Sequence, residues 1–135
     1  MKTSRILFAA ATLAFAAAGH AQSNAVQTLP SGVRVETVTA GKGINPTADS
    51  TVTVNYRGTL TNGTEFDSSY KRNEPISFSL RQVIPCWTEG IQKMAVGGKA
   101  VLFCPAKTAY GSRGAGGVIP PNADLKFEVE LIGVR

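Results

Sequence analysis

Few side chains in this sequence could take part in covalent or metal chemistry. The chain has one histidine, His20, and two cysteines, Cys86 and Cys104, among its 135 residues. Because His20 lies in a segment that we expect to be cleaved off, the mature chain would contain no Ser-His or Cys-His nucleophile pair. Two cysteines without a histidine also cannot supply the ligands of the common zinc sites. The composition therefore argues against most hydrolase and metalloenzyme mechanisms, and we predict no metal and no cofactor.

The two cysteines admit three interpretations. Export to an oxidising compartment favours a structural disulfide between Cys86 and Cys104, and the even count leaves no odd thiol. Two buried free thiols are the alternative. A redox role is disfavoured because the cysteines do not form a Cys-x-x-Cys motif. The pairing stays open at this point, since a sequence does not fix the distance between two Cα atoms.

A glycine-rich stretch follows Tyr110, with glycines at positions 111, 114, 116 and 117. Such a stretch resembles a phosphate-binding loop. It lacks, however, the Gly-Lys-Ser/Thr ending and the following helix that phosphate binding requires. We therefore predict a mobile flap and no nucleotide site.

The N-terminus has the features of a signal peptide. Lys2 and Arg5 precede an uncharged run over residues 6–18, and the run ends in the small-residue pattern Gly-His-Ala at 19–21. We predict cleavage after Ala21, a flexible arm over residues 22–30 and one domain over residues 31–135. The apolar run is shorter than the roughly 20 residues of a membrane-spanning helix, so we expect no membrane insertion.

Composition and charge are those of an ordinary globular protein. Hydrophobic residues make up 43% of the chain and charged residues 17%. The 14 Lys and Arg exceed the nine Asp and Glu, but the sequence has no basic block. We therefore do not predict nucleic-acid binding.

Hydrophobic periodicity predicts several short strands and one helix. Apolar residues alternate with polar ones near residues 33–36, 52–56, 76–80 and 125–131, and Asn62-Gly63 is a hairpin signal. Residues 100–104 form a short apolar run typical of a buried strand. A helix of about ten residues begins near Pro85 and presents Trp87, Ile91 and Met94 on one face. These elements predict an α+β fold, an antiparallel sheet of about five strands covering the helix.

Five short motifs in these elements closely resemble the FKBP-type peptidyl-prolyl cis-trans isomerases. They are VNYRG at 54–58, EFDSS at 65–69, VIPCW at 83–87, YG at 110–111 and IPP at 119–121. The similarity extends from about Gly32 to Val134. It implies a curved antiparallel sheet wrapped around one short α-helix, in agreement with the periodicity.

The resemblance also implies an apolar cup that binds a proline ring. Carried over by position, the catalytic set is Asp67, Tyr110, Trp87 and Phe127, with Trp87 as the floor. The Tyr110 hydroxyl would donate a hydrogen bond to a substrate carbonyl. Asp67 would accept one from Tyr56 and pair with Arg72. The expected substrate-binding residues are Tyr56, Phe66, Arg72, Ile76, Val83, Ile84, Val118 and Ile119.

Isomerisation of an X-Pro bond needs no covalent chemistry. Loss of amide resonance sets a barrier of roughly 18–20 kcal/mol. Raising the rate to about 10 per second requires lowering that barrier by only about 4 kcal/mol. The twisted amide is less polar than the planar one, so an apolar pocket favours the twisted form.

Simpler interpretations of the same residues stand beside this one. Trp87 on an amphipathic helix and Phe127 on an alternating strand are also what an ordinary core requires. Asp67 after a strand could make a turn. Their place within the matched motifs favours the pocket interpretation for Trp87 and Asp67. Phe127 lies outside those motifs, and its interpretation stays open between core residue and pocket wall.

The resemblance implies that the partners are proline-containing unfolded or nascent exported polypeptides, bound by a monomer. The signal-peptide pattern predicts release into the periplasm, with export from the cell as the alternative. Macrolide inhibitors of the family are a further expected ligand. Their binding should be weaker here, because Ala115, Ile76 and Gln82 depart from the residues often found in the family. The alternative function is a periplasmic holdase chaperone with little catalysis. The short flap and the absence of an added helical segment after the predicted cleavage site disfavour it.

Overall fold

The four segments with alternating polarity form four of the seven strands in the computed structural model, which describes residues 25–135. The α+β class is confirmed, with seven strands in place of about five. One α-helix, α1, spans Pro85–Ile91. In chain order the strands are β1 Ala25–Thr28, β2 Arg34–Thr39, β3 Thr51–Leu60, β4 Glu65–Ser68, β5 Ile76–Ser79, β6 Lys99–Cys104 and β7 Leu125–Val134.

All strand pairs in the sheet are antiparallel, in the order β1-β2-β6-β7-β3-β4. The long strands β3 and β7 pair with each other from Val52 to Leu60. On its other edge β3 has two partners in succession, β5 as far as Val54 and β4 from Arg57 onward. This exchange of partners brings β4, β5 and β7 around the middle of β3.

The start of the described chain corrects one expectation. Residues 25–28, predicted to belong to a flexible arm, form β1 and pair with β2. All four side chains are exposed, so no alternation in the sequence marks this strand. The turn that follows is closed by a hydrogen bond from the Leu29 N–H to the Val33 carbonyl at 2.8 Å. The predicted signal peptide, residues 1–21, lies outside the described residues.

Helix α1 begins at Pro85, as expected, but ends sooner than the periodicity suggests. Beyond Ile91 the backbone continues in tighter turns, with the Met94 N–H bonded to the Ile91 carbonyl at 3.0 Å. Met94 is therefore still buried, which extends the apolar pattern past the end of the helix. Gly90 lets the helix approach the sheet, because a Cβ there would lie 3.0 Å from the Leu102 side chain.

A disulfide joins Cys86 on α1 to Cys104 on β6, so the first of the three interpretations is the correct one. Both residues are buried in the core between the helix and the sheet. A crosslink over 18 residues stabilises the fold by about 3 kcal/mol in the chain-entropy treatment. It also fixes the N-terminal turn of the helix next to Trp87.

None of the helices in residues 25–135 is long and apolar enough to cross a membrane.

Candidate active site

A cavity of about 420 Å³ opens between the N-terminal end of α1 and the middle of the sheet. We call it the aromatic cavity, because six of its lining residues carry aromatic rings. Its lining consists of Tyr56, Phe66, Asp67, Phe78, Gln82, Val83, Ile84, Trp87, Tyr110 and Phe127.

Trp87 is one of the most enclosed rings of this cavity, with 4% of its surface exposed, the same fraction as Phe127. Its ring centroid lies 5.2 Å from those of Tyr56 and Phe78 and 5.3 Å from that of Phe127. All three pairs are edge-to-face, with interplanar angles of 82° to 85°. Such pairs are favoured by the ring quadrupoles and contribute about 0.5–1.5 kcal/mol each beyond burial. Trp87 is therefore held rigidly by rings from three strands.

The indole N–H of Trp87 is buried and has no hydrogen-bond partner among the described residues. A buried donor without a partner is unfavourable, so this position is not optimised for core stability alone.

A glycine shapes one wall of the cavity. Phe66 and Phe127 meet edge-to-face at 5.6 Å, directly over Gly58 of β3. A Cβ at Gly58 would lie 2.6 Å from the Phe66 ring and 2.8 Å from the Phe127 ring. Only glycine lets both rings pack this closely on the strand. The sequence motif contained Gly58, but nothing in its pattern revealed this contact.

Polar groups are concentrated at one edge of the cavity, where Tyr56, Asp67 and Arg72 form a closed triangle that we call the brace. The Tyr56 hydroxyl donates to Asp67 Oδ2 at 2.5 Å. Arg72 donates to Asp67 Oδ1 at 3.0 Å and to the Tyr56 oxygen at 3.2 Å. The Ser68 backbone N–H also donates to Asp67 Oδ1, at 2.8 Å. The Asp67 carboxylate is thus fixed in orientation beside the apolar rings.

The brace sets the charge states at this edge. Burial, followed by the hydrogen bond to Asp67, raises the pKa of Tyr56 to about 12. Burial acts to raise the pKa of Asp67 as well, but the hydrogen bonds from Tyr56, Arg72 and Ser68 outweigh it and lower that pKa below the usual value. At neutral pH the site therefore contains a neutral phenol and an ionised carboxylate paired with a guanidinium.

Most of the residues expected at the site meet in this cavity. The lining includes Tyr56, Phe66, Asp67, Val83, Ile84, Trp87, Tyr110 and Phe127. Their proposed roles are a separate matter, which the lining itself does not test.

Four expected residues are not part of the lining. Arg72 contacts the cavity only through the brace. Ile76 packs against the core opposite Val54, and Ile119 is buried in the turn that follows the glycines. Val118 is 56% exposed at the surface. These four residues lie outside the lining, Val118 and Ile119 because the turn after the glycines directs them to solvent and to the core. Their expected part in substrate binding stays a prediction.

Two lining residues, Phe78 and Gln82, were missed. Phe78 lies two residues after Ile76 on β5, so the alternation placed both on one face without saying which reaches the cavity. The Phe78 ring lies 6.0 Å from that of Tyr56, at the side of Trp87. Gln82 follows in the loop before α1, where no periodicity exists to orient it.

The glycine-rich stretch is a hydrogen-bonded turn beside the cavity. Ala115 and Ile119 exchange backbone hydrogen bonds at 2.9 and 3.0 Å, and all four glycines adopt positive φ. Gly114 also approaches a carbonyl closely, since a Cβ there would lie 2.3 Å from the Ile119 oxygen. Tyr110 precedes this turn, 40% exposed, with its side chain at the cavity.

The sequence was compared with those of known proteins. A sequence profile described as FKBP-type peptidyl-prolyl cis-trans isomerase matches residues 42–132. The chain is 50% identical over 115 residues to FkpA of Escherichia coli K12, described as an enzyme of that type; the match covers 85% of this chain and 42% of that protein. It is 55% identical over 103 residues to FK506-binding protein 1 of Dictyostelium discoideum, covering 75% of this chain and 96% of that protein. This chain thus spans less than half the length of its FkpA relative.

Solved structures agree with the sequence matches. The crystal structure of Escherichia coli FkpA superposes with a TM-score of 0.79 at 47% identity, covering 87% of this chain and 55% of that one. A peptidyl-prolyl cis-trans isomerase from Pseudomonas syringae superposes with a TM-score of 0.77 at 40% identity, covering 87% and 86%.

Proposed function

The chain belongs to the FKBP-type peptidyl-prolyl cis-trans isomerase family, and on that basis we propose that it accelerates rotation about X-Pro bonds in unfolded polypeptides. The proposed site is the aromatic cavity. The observation that carries the proposal is the rigid indole of Trp87 at the base of an open cavity, with a fixed carboxylate at its edge.

Catalysis of this rotation requires only a small lowering of its free-energy barrier. A substrate prolyl ring would lie over Trp87, between the rings of Tyr56, Phe66 and Phe127. Transfer into this apolar space removes water from the X-Pro carbonyl and disfavours the planar, charge-separated amide relative to the twisted one. The cavity must supply only about 4 kcal/mol to reach a turnover of about 10 per second.

Two polar groups have proposed roles in this reaction. The Tyr110 hydroxyl donates a hydrogen bond to a substrate carbonyl and so fixes the chain on one side of the rotating bond. Asp67, held ionised by the brace, faces the rotating carbonyl with a negative charge whose position is fixed. Neither group transfers a proton, so the reaction requires no general acid, general base or cofactor.

The proposed site of action is outside the cytoplasm, in the periplasm, on exported polypeptides. The signal-peptide pattern of residues 1–21 supports this, and so does the disulfide, a bond that persists in oxidising compartments. One relative, 48% identical over 107 residues, is named outer membrane protein MIP of Legionella longbeachae. N-terminal sequencing of the protein from a periplasmic fraction, beginning at Gln22, tests both the cleavage site and the compartment.

The activity is tested by the refolding of a protein whose slow phase is X-Pro isomerisation. We expect the slow phase to accelerate in proportion to the concentration of this chain, and FK506 to inhibit the effect. A parallel experiment measures how much this chain suppresses the aggregation of an unfolded protein that contains no proline. Suppression of aggregation without acceleration of refolding would replace the proposal with the holdase alternative.

A further inference from the structure

Ser69 is a buried hydroxyl residue that the proposed mechanism leaves without a role. It is fully buried, directly after β4. Its Oγ accepts a hydrogen bond from the Tyr56 backbone N–H at 2.8 Å and donates one to Asn55 Oδ1 at 3.0 Å. Its own backbone N–H donates to the Tyr56 carbonyl at 3.0 Å.

These bonds lie at the gap in the edge of β3. The partner strand β5 pairs with β3 only as far as Val54, and β4 pairs with it only from Arg57. Tyr56 lies between the two, so neither strand provides ladder partners for its backbone on that edge. Ser69 provides both, one through its side chain and one through its main chain.

Ser69 also shapes the turn that carries Arg72. The Ser69 carbonyl accepts the Arg72 N–H at 3.0 Å, at the end of the short 3-10 helix Tyr70–Arg72. That turn brings the Arg72 guanidinium back to Asp67 and Tyr56. One residue thus contacts both the strand and the turn from which the brace is built.

We propose that Ser69 is a positioning residue of the site, whose hydroxyl fixes the Tyr56 backbone and thereby aligns the Tyr56 hydroxyl with Asp67 at the cavity edge. This inference rests on the proposed function for its kinetic consequence, but its structural consequence is independent of catalysis. Loss of the hydroxyl leaves the Tyr56 N–H without a partner in a buried position, which the strand relieves by moving. The brace then loosens, while the apolar lining of the cavity is kept.

The test compares Ser69→Ala and Ser69→Thr with the matched control Thr59→Ala. Thr59 is a buried hydroxyl residue on β3, the strand that also contains Tyr56; it is bonded to the Lys126 carbonyl and lies outside the aromatic cavity. For folded Ser69→Ala we expect kcat to fall about tenfold with KM changed less than about twofold, because positioning is lost and binding is not. Ser69→Thr, which keeps the hydroxyl, should recover kcat, and Thr59→Ala should keep it.

The second readout is titration of the Tyr56 hydroxyl by NMR of the ring carbons, with Tyr56→Phe to assign the signal. In the wild-type chain Tyr56 should stay protonated up to the region of pH 12. In Ser69→Ala it should deprotonate at lower pH, and in Thr59→Ala it should not change. If folded Ser69→Ala keeps both the wild-type titration of the Tyr56 hydroxyl and the wild-type kcat, the inference is overturned. Absence of catalysis in the wild-type chain would overturn the proposed function alone.

If Ser69→Ala does not fold, amide hydrogen exchange on the wild-type chain decides the question. The Tyr56 amide, bonded to Oγ, should exchange at a rate close to that of the paired amides of β3. Exchange as fast as that of an exposed loop amide would overturn the inference.

Discussion

The aromatic cavity and a second cavity of similar volume differ in what converges on them. The second cavity, of about 380 Å³, lies at the hairpin between β3 and β4, and we call it the hairpin cavity. Its lining has one aromatic ring, against six in the aromatic cavity. It is lined by Gly32, Thr59, Leu60, Thr61, Gly63, Phe103, Cys104, Pro105, Asp124, Leu125 and Lys126.

The polar groups of the two cavities also serve different purposes. In the hairpin cavity Asp124 accepts the Ala106 backbone N–H at 2.9 Å, which stabilises a turn. The Phe103 ring is covered by the Arg34 guanidinium, whose carbon lies 4.4 Å from the ring centroid. In the aromatic cavity the carboxylate of Asp67 is fixed by side chains at the edge of open space. Volume alone therefore does not distinguish the proposed site from the hairpin cavity. The distinguishing feature is that aromatic rings and charged groups from several elements are fixed around the aromatic cavity.

The sharpest contrast comes from removing one aromatic ring from each cavity. Trp87→Leu should lower kcat/KM about 100-fold, because the rigid base that holds the prolyl ring is lost. Phe103→Leu should leave kcat/KM within about twofold of wild type. Both are measured with a proline tetrapeptide, alongside urea unfolding. Equal losses of activity per folded molecule would remove the distinction between the cavities.

The carboxylates provide the next contrast. Asp67→Asn keeps the shape of the side chain but removes its charge from the brace, and we expect kcat to fall about tenfold. Asp124→Asn keeps the oxygen that accepts the Ala106 N–H and should keep kcat. The same tetrapeptide assay measures both. A fully active Asp67→Asn would show that the charge at the cavity edge has no part in the reaction.

Two glycines separate activity from stability. Gly58→Ala places a methyl group against the rings of Phe66 and Phe127 and should lower kcat/KM about fivefold by displacing them. Gly63 has open space around it but a φ of +91°, which alanine adopts only with strain. Gly63→Ala should therefore lower the unfolding free energy by about 1 kcal/mol and leave kcat/KM unchanged. Urea melts and kinetics on both variants check this. A Gly63→Ala variant impaired in catalysis would contradict the assignment of the site.

The pH dependence of stability gives the smallest effect. The pKa of Asp67 is lowered in the folded state, so its contribution to stability is present above its unfolded-state pKa of about 3.9 and is lost as pH falls through the folded-state value. The pKa of Tyr56 is raised to about 12, so its contribution is present below pH 10 and is lost as pH rises through about 12. Stability from the brace should therefore be constant between about pH 5 and pH 9.

Urea unfolding of the wild-type chain and of Asp67→Asn checks the acid side. The difference in unfolding free energy between them should be constant at neutral pH and shrink below about pH 4. An unchanged difference at pH 3 would mean that the brace does not stabilise the ionised carboxylate.

Sequence reasoning was most successful where one face of an element is buried. Val52 and Val54 on β3 and Leu125 on β7 have buried side chains, as the alternation predicted. The same reasoning failed at β1, because a strand exposed on both faces has no hydrophobic period. It also misjudged the end of α1, where tighter turns continue the apolar pattern.

The site was predictable in composition but not in detail. The resemblance identified Tyr56 and Phe127, two of the three rings that contact Trp87. The third ring, Phe78, was missed together with Gln82, since alternation assigns a face and not a cavity. Whether Cys86 and Cys104 are joined depends on how α1 packs on β6, which includes the close approach of Gly90 to Leu102. The contact of Gly58 with two rings is likewise a three-dimensional fact without a periodic signal.

The most direct test of the central claim is NMR exchange spectroscopy on a proline tetrapeptide mixed with a small amount of this chain, with the Trp87 indole signal recorded in the same titration. We predict faster interconversion of the cis and trans signals and a shift of the Trp87 indole resonance that saturates with peptide. Interconversion at the uncatalysed rate, or catalysis with an indole signal that does not respond to peptide, would contradict the account.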